Sequence, residues 1–167
     1  LYEKGVYLVF VGYKSIRNFK FDKIYSSLGS EVRSKIILFS NLDDSELQWL
    51  YANCTFFVYL SIAEGFGLPI FEAVMHRKPV IITESSVMRD YTFLKKSMVK
   101  MLDTYRISDW DLERKIALAL EGSLYSEAEL EEIRKYVMNR YDWWSVAQKH
   151  VAAFRGDLLD LASRSGQ

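Results

Sequence analysis

The sequence predicts an α/β protein built on an open, mostly parallel sheet with helices on both faces. Short apolar runs alternate along the chain with segments whose apolar residues recur at helical spacing, the order that winds a parallel sheet. Several runs are continuous rather than alternating, as in strands covered on two faces. Polar loops follow the predicted strands at 40–43, 61–68 and 84–90, the sheet edge where such folds bind ligands.

Taken in order, residues 6–11 form a first strand, buried on both faces and ended by Gly12. Residues 13–21 are polar and basic, with Lys14, Arg17 and Lys20. A helix over 22–28 ends at Gly29, and 35–39 is the second strand. Asp43 is a helix N-cap with Glu46 three residues on to close a capping box. Leu47, Leu50, Tyr51 and Cys54 then make one apolar stripe. Residues 55–60 form the third strand. A short helix runs from Pro69 to about Arg77, with Ile70, Phe71, Val74 and Met75 on one face. Residues 79–83 form the fourth strand and 97–102 a fifth, interrupted by Lys100. Ser108 or Asp109 caps a helix carrying Trp110, Leu112, Ile116, Leu118 and Leu120, stopped at Gly122. Ser126 and Glu129 form a second capping box, opening a helix through Ile133 and Val137. Asp142 caps a last helix with Trp143, Val146, Ala147, Val151 and Phe154. Residues 1–155 read as one domain and 156–167 as a tail with a short, fraying helix.

Composition excludes several classes. The chain has 167 residues, 22 basic and 22 acidic, so bulk charge gives no reason for a nucleic-acid partner. Eleven Tyr, ten Phe and four Trp suggest a well-packed core rather than a stacking surface. A lone cysteine, Cys54, rules out a disulfide framework and a cysteine metal site, and reads as a buried thiol near a helix end. No apolar run has the length of a membrane span and no signal peptide opens the sequence, which points weakly to the cytoplasm.

The chemistry concentrates at residues 61–72, Ser-Ile-Ala-Glu-Gly-Phe-Gly-Leu-Pro-Ile-Phe-Glu. This is a strand–loop–helix junction. Pro69 suits the first helical turn, where its missing N–H has no intrahelical partner. Gly65 and Gly67 let a ligand approach the backbone, and the helix start presents N–H groups and positive dipole to an anion. Glu64 and Glu72 flank this cradle. Ionised carboxylates only accept hydrogen bonds, so the pair suits a ligand carrying hydroxyls as well as phosphate. The plain alternatives are a tight turn at Gly65–Gly67, a packing role for Phe66 and an exposed helical Glu72. His76 and His150 lack a ligand spacing and read as structural. Arg89 and Asp90 lie on the same sheet edge and read as a surface ion pair.

Glu64, the Gly-Phe-Gly-Leu-Pro that follows and Glu72 resemble the signature of the family-4 retaining glycosyltransferases of GT-B architecture. There a Glu is followed by seven residues and a second Glu. Leu8-Val9-Phe10-Val11-Gly12, Asp43-Asp44-Ser45-Glu46-Leu47 with Leu50-Tyr51, Pro79-Val80-Ile81, and Tyr141-Asp142-Trp143 with Val146-Ala147 are similar to further segments of that family, in the same order. The resemblance implies a Rossmann-like, C-terminal donor-binding domain over residues 1–155, lacking the family's first strand and its acceptor-holding N-terminal domain. It implies that Glu72 accepts from the ribose of a nucleoside-diphosphate sugar and that Glu64 faces the donor sugar as the catalytic residue. The amides of Phe66, Gly67 and Leu68, beside Gly65, would meet sugar hydroxyls and phosphate, and Asn41 and Leu42 would hold the base. It further implies retaining hexosyl transfer to a glycan or lipid-linked acceptor, without metal or cofactor. The missing domain is then a partner, and the enzyme is cytoplasmic, at the inner face of the plasma membrane. The isolated domain is expected to be inactive. A non-catalytic nucleotide-sugar-binding or assembly module of the same fold is the second reading. An unrelated phosphate-binding domain such as a flavodoxin-like receiver lacks the acidic cluster it needs at a strand end. Three positions depart from the family pattern: Lys78, where a glycine would ease a left-handed helix end; Leu60-Ser61, in place of Pro-Ser; and Arg89, in place of Glu.

Overall fold

A computed structural model of the chain describes residues 5–12, 19–85, 87–103 and 106–155. Lys14, Arg17 and the 156–167 tail lie outside the described residues. The chain divides into two compact units, Leu1–Leu50 and Tyr51–Gln167.

In the first unit, β1 (Leu8–Val11) pairs in parallel with β2 (Ile36–Phe39), Leu8 opposite Ile36 and Val11 opposite Phe39. Between them run α1 (Phe19–Ser27) and the short α2 (Ser30–Arg33). The helix expected over 22–28 therefore starts earlier. Gly29 does not close it in a left-handed turn but stands extended (φ −60°, ψ 152°) as the N-cap of α2. The first strand is also not buried on both faces. Leu8 and Val11 are 48% and 47% exposed, and among the described residues β1 pairs with β2 alone. Phe10 is better covered, meeting Phe21 of α1 edge to face at 5.3 Å.

The predicted capping box forms. The Asp43 N–H donates to Glu46 Oε2 at 2.9 Å and the Glu46 N–H to Asp43 Oδ1 at 2.8 Å. It opens α3 (Asp44–Asn53), whose last residues belong to the second unit. Cys54 follows, half-buried, with Sγ 3.5 Å from the Tyr51 carbonyl; burial pushes its thiol pKa up.

The second unit is built on three parallel strands in the order β3 (Phe57–Tyr59), β4 (Val80–Thr83), β5 (Met98–Val99). The central β4 is fully buried, as its unbroken apolar run requires. Ile70, Ala73 and Val74 of α4 (Leu68–Met75) and Val99 share its core, and Leu130, Ile133 and Val137 of α6 (Glu127–Tyr141), which packs on α4, are buried as well. Among the described residues, the parallel pairing in the first unit is β1 with β2, and in the second β3 with β4 and β4 with β5.

The fifth strand splits where the sequence places a lysine. The Lys100 N–H leaves the ladder for Asp111 Oδ2, 2.9 Å away, and its carbonyl accepts from the Ser108 N–H, also at 2.9 Å. The chain then turns into a small antiparallel hairpin, β6 (Met101–Asp103) with β7 (Arg106–Ile107), which the apolar pattern did not announce. Ser108 caps α5 (Asp109–Leu120), accepting from the Asp111 N–H, and Gly122 ends the helix region at φ 68°. The inward stripe of α5 is not the expected one. Trp110 is 71% exposed, whereas Asp111, Lys115 and Ala119 are buried. A salt-bridged i, i+4 pair can enter the interior when both members also find backbone partners. Here Lys115 Nζ donates to the Lys96 carbonyl at 2.9 Å.

The second capping box, Ser126 with Glu129, opens α6 as predicted. Asp142 Oδ1 accepts from the Trp144 and Ser145 N–H groups to start α7 (Trp143–Arg155). Of the apolar residues assigned to α7, Ala147, Val151 and Phe154 are exposed, Phe154 at 89%, and Val146 is half-buried. The strain anticipated at Lys78 falls one residue earlier. Arg77 holds φ 55°, the one non-glycine residue at positive φ among the described residues.

Candidate functional site

The loop joining β3 to α4 is held at four points. At its start, the Thr83 hydroxyl from the end of β4 donates to the Ser61 carbonyl. In the middle, the Tyr59 phenol donates to Glu64 Oε1 at 2.6 Å, and the Tyr91 phenol donates to the Phe66 carbonyl. At its end Gly67 sits at φ 77°, ψ 49°, and a Cβ there would press on Ile70 Cδ1 at 3.1 Å and Met88 Cε at 3.2 Å. Only glycine takes this left-handed turn without strain or clash. A Cβ on Gly65 would meet nothing within 4 Å. The two glycines therefore differ: Gly67 is required by the protein's own packing, and Gly65 borders open space.

Gly67 is the N-cap of α4, with Pro69 in the first turn as predicted. The Ile70 N–H returns to the Gly67 carbonyl at 3.0 Å. Among the described residues no hydrogen bond engages the N–H groups of Phe66, Gly67 or Leu68. Leu68 is 63% exposed. Phe66 is 41% exposed, with its ring stacked on Phe71 at 4.6 Å and edge-on to Tyr91 and Tyr141. Its side chain packs, as one reading of the sequence had it, and this packing steadies the backbone on which the amides lie.

The two acids share one support. Phe57 and Tyr59 point to the same side of β3 and stack at 5.9 Å, and Tyr51 meets Phe57 edge-on at 5.4 Å. This aromatic row ends in a hydroxyl on either side. Tyr59 binds Glu64; Tyr51, buried at the end of α3, donates to Glu72 Oε2 at 2.9 Å. His76 stacks on the Tyr51 ring at 6.0 Å. Burial raises both phenols, helped by the adjacent carboxylates, Tyr59 to about 12, so both act as donors at neutral pH. The Tyr59 hydrogen bond, then that of Ser61, lowers the Glu64 pKa and outweighs the opposing effect of burial, keeping it an ionised acceptor. Among the described residues Glu72 Oε1 has no partner, leaving it able to accept from a ligand.

The second unit thus brings Glu64, Gly65, Phe66, Gly67, Leu68 and Glu72 onto one loop and helix start. Asn41 and Leu42 belong to the first unit, between β2 and α3, Asn41 exposed and Leu42 half-buried. Arg89 pairs with Glu84 at 3.7 Å rather than with Asp90. The sequence reading missed the orienting roles of Tyr51, Tyr59, Tyr91 and Thr83. The available signal was generic: a tyrosine inside an apolar stripe must find a partner for its hydroxyl. Among the described residues no group of three His, Cys, Asp or Glu side chains is placed to hold a metal ion, and no helix is long and apolar enough to cross a membrane.

Comparison with known proteins places this geometry in context. Solved structures that share the fold include two glycosyltransferases. WaaG, a glycosyltransferase involved in lipopolysaccharide biosynthesis, superposes with a TM-score of 0.64 at 22% identity, over 88% of this chain and 37% of that one. The catalytic domain of cholesterol-α-glucosyltransferase from Helicobacter pylori gives 0.53 at 19% identity, over 81% of this chain and 98% of that one. In sequence, the chain is 35% identical over 60 residues to the serotype-specific mannosyltransferase WbdA of Escherichia coli and to the O-antigen chain mannosyltransferase RfbU of Salmonella typhimurium. Each alignment covers 36% of this chain, but only 7% and 17% of those proteins' own lengths. The family model for glycosyl transferases group 1 matches residues 3–136. The chain therefore belongs to the glycosyl transferases group 1 family, and its fold is that of a GT-B glycosyltransferase domain.

Proposed function

We propose that this chain is the C-terminal, donor-binding domain of a retaining glycosyltransferase that uses a nucleoside-diphosphate sugar. The observation that carries the reading is the pair of acids oriented from one aromatic row on either side of a glycine-opened helix start. Glu72 accepts from the ribose hydroxyls. Glu64, ionised, faces the donor sugar as the catalytic residue and accepts from its hydroxyls. The amides of Phe66, Gly67 and Leu68, beside Gly65, receive sugar hydroxyls and the distal phosphate, which the positive end of α4 favours. Asn41 and Leu42 hold the base. The acceptor oxygen bonds the anomeric carbon as the sugar–phosphate bond breaks, and the departing phosphate takes the acceptor proton. No metal or cofactor takes part. The names of the sequence relatives make mannose the first sugar to test. The acceptor proposed with it is a glycan or a lipid-linked glycan at the inner face of the plasma membrane.

The second reading is a non-catalytic binding module of the same fold. It is favoured by Arg89, which stands where the family carries a Glu and is tied to Glu84. A thermal-shift screen with UDP, GDP, ADP and their sugars tests both, since a ligand stabilises the folded state it binds. Stabilisation by one base, lost in Glu72→Ala, supports donor binding. No shift with any of them sinks both readings. Adding the remainder of the enzyme in trans, with acceptor, separates them: transfer supports the enzyme and its absence the binding module.

A further inference from the structure

The groove beside β5 carries an uncompensated positive charge that the donor site does not use. The parallel register places Ile82 opposite Met98 and Thr83 opposite Val99, so Met98 and Lys100 project from the same face as Ile82 and Glu84. Arg89, Thr92 and Lys95 come from two 3-10 turns, Met88–Asp90 and Thr92–Ser97, that follow β4. Together these residues line an open groove of about 400 Å³. It holds three cations and one carboxylate, and that carboxylate is shared with Arg89. Among the described residues, no carboxylate lies within 4.0 Å of the Lys95 or Lys100 ammonium. In a chain whose basic and acidic residues balance at 22 each, this is a local excess.

The backbone bearing these charges is pinned. The Lys100 N–H donates to buried Asp111, and the Lys96 carbonyl, next to Lys95, accepts from buried Lys115. The inward-facing pair on α5 thus fixes both lysine-bearing segments, which lowers the ordering cost of binding.

We infer that this groove binds a phosphate-bearing anion at a site separate from the α4 loop. Two ammonium groups and a guanidinium suit a multiply charged oxyanion, Thr92 adds a hydroxyl, and Met98 with the lysine stems provides an apolar floor. The volume suits a phosphorylated small molecule or a single lipid headgroup. Tyr91, between Arg89 and Thr92 in sequence, donates to the Phe66 carbonyl, so one segment reaches both the groove and the α4 loop while the two use different side chains. The inference stands without the donor-binding reading.

The test titrates inorganic pyrophosphate into the full chain by calorimetry and, in parallel, sediments the chain with phosphatidylcholine vesicles with and without phosphatidic acid. The variant Lys95→Gln/Lys100→Gln alters two exposed side chains and keeps the Lys100 backbone bond to Asp111. Saturable binding that falls by about tenfold in this variant supports the site, as expected for lost charge-assisted bonds. It must persist in Gly65→Val, which puts a branched side chain into the open space in front of the α4 loop. Lysine-dependent binding to phosphatidic acid vesicles alone assigns the anion to a lipid, and lysine-dependent pyrophosphate binding alone to a free phosphate compound; both support the groove. Equal binding by the double variant, equal loss in Gly65→Val, or no binding of either probe overturns it.

Discussion

The Tyr51 phenol donates to Glu72 Oε2 at 2.9 Å across 21 residues of sequence, from the last turn of α3 to the first turns of α4. Tyr51 is buried against Phe57 and His76, so its hydroxyl has little freedom, and it sets the carboxylate's orientation. Tyr51→Phe keeps the ring and removes only this bond. Nucleoside-diphosphate affinity should fall by about fivefold, the scale of one hydrogen bond near 1 kcal/mol. Calorimetry checks the affinity and urea denaturation the stability. Tyr51→Ala, which also empties the ring's site, should cost about 3 kcal/mol of stability.

The contrast between Gly65 and Gly67 makes a second prediction. Gly67→Ala forces a left-handed alanine against Ile70 and Met88 and should destabilise the chain by about 1–2 kcal/mol. Gly65→Ala enters open space and should change stability by no more than about 0.5 kcal/mol. Urea midpoints that move equally for both would show that the loop does not depend on the turn at Gly67.

Asp111 and Lys115 make a third. Burial pushes the Asp111 carboxyl up, but the Lys100 N–H and the Arg114 and Lys115 cations outweigh it and hold the pKa below the ordinary carboxylate range. Asp111→Ala strands a buried ammonium and frees the Lys100 N–H, at a cost of about 3 kcal/mol. The double variant Asp111→Ala/Lys115→Met should recover part of that loss. Denaturation of the four proteins in the cycle measures the coupling.

Acid sensitivity gives a fourth. Glu129 is bound by Lys96 and by the Ser126 N–H and hydroxyl, which lower its pKa from 4.5 to about 2. Its folded pKa lies below its unfolded one, so it favours folding above pH 4.5. That contribution fades as pH falls from there through about 2. The melting temperature of Glu129→Gln should therefore lie below wild type at pH 7 and converge with it in strong acid.

Short-range features were legible in the residues. Both capping boxes, the Pro69 helix start and the buried strand at 80–83 depend on neighbours a few positions apart, so local chemistry suffices to predict them. The Glu64 to Glu72 segment was likewise visible as a loop opening a helix. Its orienting groups were not: no spacing tells a reader that Tyr51 and Tyr59 end a row through Phe57, since that depends on how α3 and β3 pack. The exposure of the first strand escaped notice for a related reason, because an apolar run does not say what covers its faces.

Composition and local pattern by themselves determined an α/β chain with a glycine-opened, acid-flanked helix start. Tertiary structure alone decided that the two acids are aimed by Tyr59 of β3 and Tyr51 of α3, and that α5 turns a charged pair inward while leaving Trp110 outside. The physical reason is the range of the forces. Caps and turns are satisfied within a few residues, whereas a buried hydroxyl or ammonium is stable only where distant segments bring it a partner.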